Sequence, residues 1–191
     1  MTFFLKIWLR NARLKKFSDK GPTGLLPLRN IRTAIVLVDG TEPGCRGYAD
    51  RIGAFLKGNR IEVSFIYIDL RKISKGVEAF VEGENVISRK DVTWFGMPRM
   101  KRKGALFLKE ADLLVNLRDS DDFTGDFISK TVKARFRIGA CAYKGNPFDL
   151  VISGRPSDTG EEPEGNVSDR AEEKQTLERI DAICNFLNQI V

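Results

Sequence analysis

Apolar positions recur along this chain in two kinds of run, and the alternation between them constrains the fold before anything else does. Ala34-Ile35-Val36-Leu37-Val38 is continuous and mostly β-branched, bounded by Thr33 and Asp39. Such a run suits a strand covered on both faces, as in the middle of a parallel sheet. A polar turn with Gly40, Gly44 and Gly47 follows. Tyr48, Ile52, Phe55 and Leu56 then fall at helical spacing, and Gly58-Asn59 stops the helix. Ile61–Asp69 predicts a second strand, and the helix between the two allows a right-handed parallel crossover.

Further along, Leu70–Asp91 fits either a short helix or an irregular edge hairpin across Glu82-Gly83-Glu84-Asn85. Val92–Phe95 reads as a short strand ended by Gly96-Met97-Pro98. The basic cluster Arg99, Lys101, Arg102 and Lys103 reads as a solvated loop, with a phosphate or nucleic-acid patch as the sharper alternative. Asp112–Leu117 is another strand, followed by the acidic turn Arg118–Asp122 and a helix with Phe123, Phe127, Ile128 and Val132 on its inner face. Phe136–Tyr143 and Phe148–Ser153 read as two late strands, and the short link Lys144-Gly145-Asn146-Pro147 suits an antiparallel pair. Arg155–Arg170 is polar and carries prolines and glycines, which predicts a loop. Leu177, Ile180, Cys184, Leu187 and Val191 then form one apolar seam of a closing helix. The pattern predicts an α/β fold. It is a three-layer Rossmann-like or flavodoxin-like sandwich with a mostly parallel sheet of about five strands and an antiparallel edge.

Charge sharpens one end of this picture. The net charge is +6, yet residues 1–34 hold eight basic residues against Asp19 alone, leaving 24 basic and 25 acidic residues elsewhere. Residues 1–28 are therefore expected to be a basic arm and hinge, with Gly21, Pro22, Gly24 and Pro27 breaking the helix, and residues 29–191 to be one α/β domain. As a helix the arm gathers Phe3, Phe4, Ile7, Trp8, Leu14 and Phe17 on one broad face, with Lys6, Arg13, Lys16 and Lys20 opposite. Three readings follow: a terminal helix docked by its aromatic face, an interfacial helix at anionic lipid, or, less favoured, a nucleic-acid arm. Under the lipid reading, Phe4, Lys6, Trp8, Arg13 and Lys16 make the contact.

Candidate chemistry is sparse. With no histidine in the chain, Ser-His-Asp and Cys-His nucleophile systems are excluded. Three cysteines without CxxC spacing suit a reducing, cytoplasmic setting. Cys141 and Cys184 read as core, while Cys45, beside Arg46 near a helix start, has a reason for a lowered thiol pKa. In open α/β sheets ligands bind beyond the carboxyl ends of the strands. Two turns qualify by position. In the first, Asp39, Gly40, Thr41, Gly44 and Gly47 allow a backbone to approach a phosphate, although the spacing is neither a dinucleotide fingerprint nor a P-loop. In the second, Asp119–Asp122, with Asp119, Ser120 and Asp121 as the candidate contacts, the carboxylates suit a magnesium–phosphate ligand, against the plainer reading that Ser120 or Asp121 caps the next helix. No catalytic residue, resident metal or cofactor is read from these residues.

Several segments together resemble an uncharacterised bacterial family known only as a domain of unknown function. The most distinctive is Asp91-Val92-Thr93-Trp94-Phe95-Gly96-Met97-Pro98. Ile31–Asp39, Asp112–Leu117, Lys133–Gly139, Phe148–Ile152, the basic arm and the closing helix support it. The resemblance implies a small α/β protein in a bacterial cytoplasm and brings no activity. Two functions are carried forward. The first is a non-catalytic binding or regulatory module, peripheral at the inner membrane through its arm. The second is an enzyme or binder acting on a phosphorylated or nucleotide-type ligand at the strand carboxyl ends.

Overall fold

A computed structural model describes residues 2–72, 81, 83–120, 122–153 and 167–190. Its centre is one six-stranded sheet in the order β3-β2-β1-β4-β5-β6. The strands are β1 (Thr33–Asp39), β2 (Glu62–Asp69), β3 (Val86–Ser88), β4 (Glu110–Asn116), β5 (Lys133–Gly139) and β6 (Leu150–Val151). Every pairing is parallel. This is the Rossmann order, with the connection reversing direction between β1 and β4.

β1 shows why the chain makes three layers. Successive side chains of a strand point to opposite faces. Ala34, Val36 and Val38 enter one core with Ile52 and Leu56 of α2 (Cys45–Gly58) and Ile180, Ile183 and Leu187 of α5 (Val167–Gln189). Ile35 and Leu37 enter the other, with Phe107 of α3 (Met100–Phe107) and Phe127 and Ile128 of α4 (Phe123–Thr131). α1 (Thr2–Phe17) joins that second layer: Leu9, Leu14 and Phe17 pack there, and Phe17 meets Phe127 edge to face at 6.0 Å.

Four expectations need correction. The late strands are parallel, with Ile138 opposite Leu150 and Gly139 opposite Val151. β5 stops at Gly139 because Phe148 folds back onto that glycine, where no Cβ fits, and the Asp149 amide donates to the Arg137 carbonyl at 2.9 Å. Val92–Phe95 is a turn and not a strand. The Gly96 amide donates to the Thr93 carbonyl and the Thr93 amide to the Met97 carbonyl, Gly96 has φ +91°, and only Val92 bridges Pro98. The basic stretch after it forms helix α3, burying Gly104 and Phe107 while Lys101 and Arg102 face outward. Finally, α5 begins at Val167, inside the stretch read as loop, although its buried seam of Ile180, Ile183 and Leu187 follows the predicted period. Residues 154–166 and Val191 lie outside the described residues.

The stretch after α1 follows the amino-terminal half of β5, which β6 is too short to cover. The Asp19 amide donates to the Lys130 carbonyl at 2.7 Å, and the Gly24 amide to the Arg135 carbonyl at 3.0 Å. The Thr23 hydroxyl donates to Asp149 at 2.6 Å, and the buried Arg137 guanidinium pairs with Asp19 at 2.8 Å. These contacts cover an edge that would otherwise present unpaired backbone groups.

Candidate functional site

The carboxyl rim of the sheet, where open α/β folds bind ligands, divides into two parts with different chemistry. At the reversal between β1 and β4, Arg118 emerges directly from β4 and turns across the crevice. Its Nε donates to Asp39 at the end of β1 at 3.3 Å, and its Nη1 pairs with Asp122. The side chain is only 7% exposed. Asp122 also caps α4, accepting from the amides of Thr124 and Gly125, and it accepts from the Ser120 hydroxyl at 3.0 Å. Burial pushes the Asp122 carboxyl up, but Arg118, the Gly125 amide and Ser120 more than offset this and hold it below its ordinary value. The two candidate turns therefore meet through the chain's own guanidinium, seated between two carboxylates.

The remaining candidates at these turns serve the fold. Asp39 accepts from both the amide and the hydroxyl of Thr41. The Gly40 amide donates to the Ile68 carbonyl, and a Cβ there would come within 3.4 Å of that oxygen. Gly44 leaves room for the Tyr48 ring, whose hydroxyl a Cβ would meet at 2.8 Å. Gly47 lies inside α2 with open space beside it, so no close approach requires it. Asp119 takes a hydrogen bond from the buried Arg179 at 2.9 Å. Asp121 lies outside the described residues. The cap of α4 is Asp122, one or two residues beyond the positions the sequence suggested. Among the described residues no group of three histidine, cysteine, aspartate or glutamate side chains converges on a metal position.

The outer part of the rim, at the carboxyl ends of β2 and β3, is basic. Asp69 ends β2 almost fully buried and is held by Arg71 through Nε at 3.0 Å and Nη2 at 2.6 Å. This pairing lowers the Asp69 carboxyl and takes up the position where a ribose-binding acid would stand. Lys72, Arg89 and Lys90 follow the two strands, are exposed, and have no carboxylate partner among the described residues. Ser88 closes β3. Its amide and hydroxyl both donate to Asp91, at 3.1 and 2.7 Å. Asp91 is buried, and its other oxygen lies 3.7 Å from Arg102 Nε without a hydrogen bond.

α1 approaches the same rim from the other side. Arg10 Nε donates to the Phe95 carbonyl at 2.8 Å, and the guanidinium lies 4.5 Å from the Phe123 ring centre. Both partners belong to the carboxyl end of the sheet: the 92–98 turn and the first turn of α4. Phe17 and Asp19 meet α4 further along, at Phe127 and Lys130. The helix thus continues for seven residues from Arg10 back to Phe3, roughly 10 Å, beyond the start of α4. Phe4 is 78% exposed, Trp8 65% and Trp94 60%, and Phe3, Leu5 and Ile7 are exposed as well. Lys15 and Lys16 are exposed, whereas Lys6 and Arg13 are half-buried on the docked side. The expected aromatic docking face is therefore split. Leu14 and Phe17 dock, together with Leu9 and Arg10, while Phe3, Phe4, Ile7 and Trp8 do not.

A family model, described as a family of unknown function, DUF6913, matches residues 3–161. The chain belongs to this family. No curated protein and no solved structure matches it. In this DUF6913 chain the matched residues run from α1 through the whole sheet and include every rim position described above.

The cysteines of the DUF6913 chain give no sign of reactivity. Cys45 is buried, and burial pushes its thiol up despite the Arg46 amide and charge, opposite to the lowering expected from Arg46 alone. Cys184 is half-buried and likewise pushed up by burial, to about 11. Cys141 is half-buried at the end of β5 rather than core. At the β1–β4 reversal the residue that sequence reasoning missed is Arg118. A cation placed between the apolar run of β4 and an acidic turn is the signal that would have found it.

Proposed function

We propose that this chain is a non-catalytic binding module that works at an anionic membrane surface through the amino-terminal half of α1. One observation carries the reading: a helix anchored by Arg10, Leu14 and Phe17 leaves Phe3, Phe4, Leu5, Ile7 and Trp8 uncovered beyond its last contact with the domain. Aromatic and aliphatic side chains with lysines on the same helix suit the boundary between headgroups and acyl chains. Among the described residues no helix is long and apolar enough to cross a membrane, so attachment by this route is peripheral. The rival placement, a phosphorylated ligand between Asp39–Gly47 and Asp119–Asp122, is disfavoured because Arg118 occupies the space between those turns.

Co-sedimentation of the full chain with phosphatidylserine-containing vesicles tests the reading, with pure phosphatidylcholine vesicles as reference. The chain is expected to pellet with the anionic vesicles, and a Phe4→Ser/Trp8→Ser variant to bind roughly tenfold or more weakly, since each side chain forfeits its burial. Circular dichroism checks that the variant keeps its fold. Equal pelleting of chain and variant, or no pelleting of either, removes the membrane reading.

A further inference from the structure

We infer that the outer carboxyl rim, at the ends of β2 and β3, is a binding site for a phosphate-bearing ligand. The inference does not rest on membrane attachment by α1 and concerns a different set of residues. A cavity of about 450 Å³ opens there, lined among the described residues by Arg71, Lys72, Ser88, Arg89 and Lys90. Four of these five side chains are cationic.

The gathering of four cations around one concavity separates this place from an ordinary solvated surface. Elsewhere on the molecule some exposed cations meet a carboxylate, as Arg51 does with Asp181 and Lys133 with Glu110, while others, such as Lys57 and Arg60, have no carboxylate partner among the described residues and are not gathered at this cavity. At the cavity only Arg71 meets a carboxylate, and its partner Asp69 is the buried end of β2. Lys72, Arg89 and Lys90 line the cavity with no carboxylate partner among the described residues. Of the other described acids near them, Asp91 is turned inward to Ser88 and lies beside Arg102, and Glu84 stands on the wall of an adjoining cavity. This second cavity, of about 570 Å³, shares Ser88 and Lys90 with the first; Arg102 and Lys103 line it together with Asp69, Glu84 and Asp91, so the excess of positive charge belongs to the first cavity. Like charges crowded on a concave wall repel, and a dianion placed among them relieves that repulsion.

The position suits recognition as well as charge. Arg71 is held rigid by its two bonds to Asp69, so its guanidinium is presented in a fixed orientation. Lys72, Arg89 and Lys90 stand within two or three residues of the strand ends, on backbone positioned by the sheet. The Ser88 amide and hydroxyl both donate to Asp91, so the attraction for a ligand at this wall comes from the cations. The ligand chemistry is therefore a phosphate group, either free in solution or carried on a lipid headgroup.

Isothermal titration calorimetry of the full chain with inorganic pyrophosphate, at low and raised salt, is the direct test. Saturable binding that weakens with salt is expected. A Lys72→Ala/Arg89→Ala/Lys90→Ala variant should bind about 100-fold more weakly, each cation being worth about fivefold at 4 Å in water. Lys57→Ala/Arg60→Ala, at the opposite end of the sheet, should bind as the parent does. So should Phe4→Ser/Trp8→Ser, which separates this site from the α1 reading. The lipid arm compares vesicles containing phosphatidate with vesicles containing phosphatidylserine. A deficit of the triple variant confined to phosphatidate identifies the headgroup as the source, and an unchanged vesicle affinity identifies the soluble phosphate. No heat with pyrophosphate together with no deficit on phosphatidate overturns the inference, as does equal pyrophosphate binding by parent and triple variant. Binding of a single-stranded oligonucleotide without any binding of pyrophosphate or phosphatidate would also overturn it, in favour of a nucleic-acid surface.

Discussion

The two parts of the carboxyl rim carry similar residue types and put them to opposite uses. At the β1–β4 reversal, Arg118 is sealed between Asp39 and Asp122, and the Thr41 and Ser120 hydroxyls donate to those same carboxylates. At the ends of β2 and β3, Lys72, Arg89 and Lys90 are exposed around a cavity and paired with no carboxylate among the described residues. The first arrangement spends its charges on holding the fold, and the second leaves them available to something outside it. The place where a ligand is expected from topology alone is thus filled by the protein itself, and the open chemistry lies two strands away.

The largest test of this contrast is Arg118→Ala. It leaves Asp39 and Asp122 facing each other with no cation between them, and losing one partner of a buried pair typically costs about 3 kcal/mol or more. A loss below about 1 kcal/mol in urea unfolding would show that the clamp is not structural, and the contrast would fail.

Gly125→Ala sharpens the same point without removing a charge. A Cβ at Gly125 would lie 2.5 Å from Arg118 Nη1, so the guanidinium must leave its seat. A destabilisation of about 1–2 kcal/mol is expected from the displaced, partly unpaired ions. An unchanged midpoint would mean that Arg118 relocates freely.

Acid titration compares the carboxylates directly. Asp122 and Asp69 have carboxyl pKa values below their ordinary ones in the folded protein, so folding favours their ionised forms. Their stabilising contribution is full above the unfolded aspartate value of about 3.9 and is lost as the pH falls through their lower folded values. The urea midpoint is expected to decline below about pH 4, and less steeply in Asp122→Asn. An identical acid slope in parent and variant would remove Asp122 from the account.

The smallest effect is expected on the outer rim. Lys72→Ala/Arg89→Ala/Lys90→Ala should shift unfolding stability by no more than about 0.5 kcal/mol per site, and toward stabilisation, because like charges are removed from an exposed surface. A clear destabilisation would indicate that these cations hold the fold as Arg118 does, and the difference between the two regions would vanish.

Much of the fold was legible in local pattern. β1 lies where the apolar run Ala34–Val38 predicts it, α2 ends at the Gly58-Asn59 signal, and α5 buries residues of the predicted seam. The failures have local and long-range causes. β3 is three residues long, too short for periodicity to register, and β6, two residues within the strand read at Phe148–Ser153, runs parallel where a tight antiparallel turn was expected; each exists because a longer neighbour supplies hydrogen-bond partners. α3 was hidden by its basic residues, although Met100, Gly104 and Phe107 stand at helical spacing. In α1 the aromatic face seen in the sequence was divided by where Arg10 found the Phe95 carbonyl, a contact across 85 positions. The candidate turns were placed correctly at the rim, but nothing in their spacing showed Arg118 lying between them.

By itself the sequence determined the layers. Continuous apolar runs must be covered on both faces, helical seams must lie on them, and a chain without histidine has few routes to acid–base or nucleophilic catalysis. Only the tertiary structure decided which charges are spent and which are free. Ion pairing depends on distances between residues far apart in sequence, such as Arg118 and Asp39, and local spacing carries no information about those.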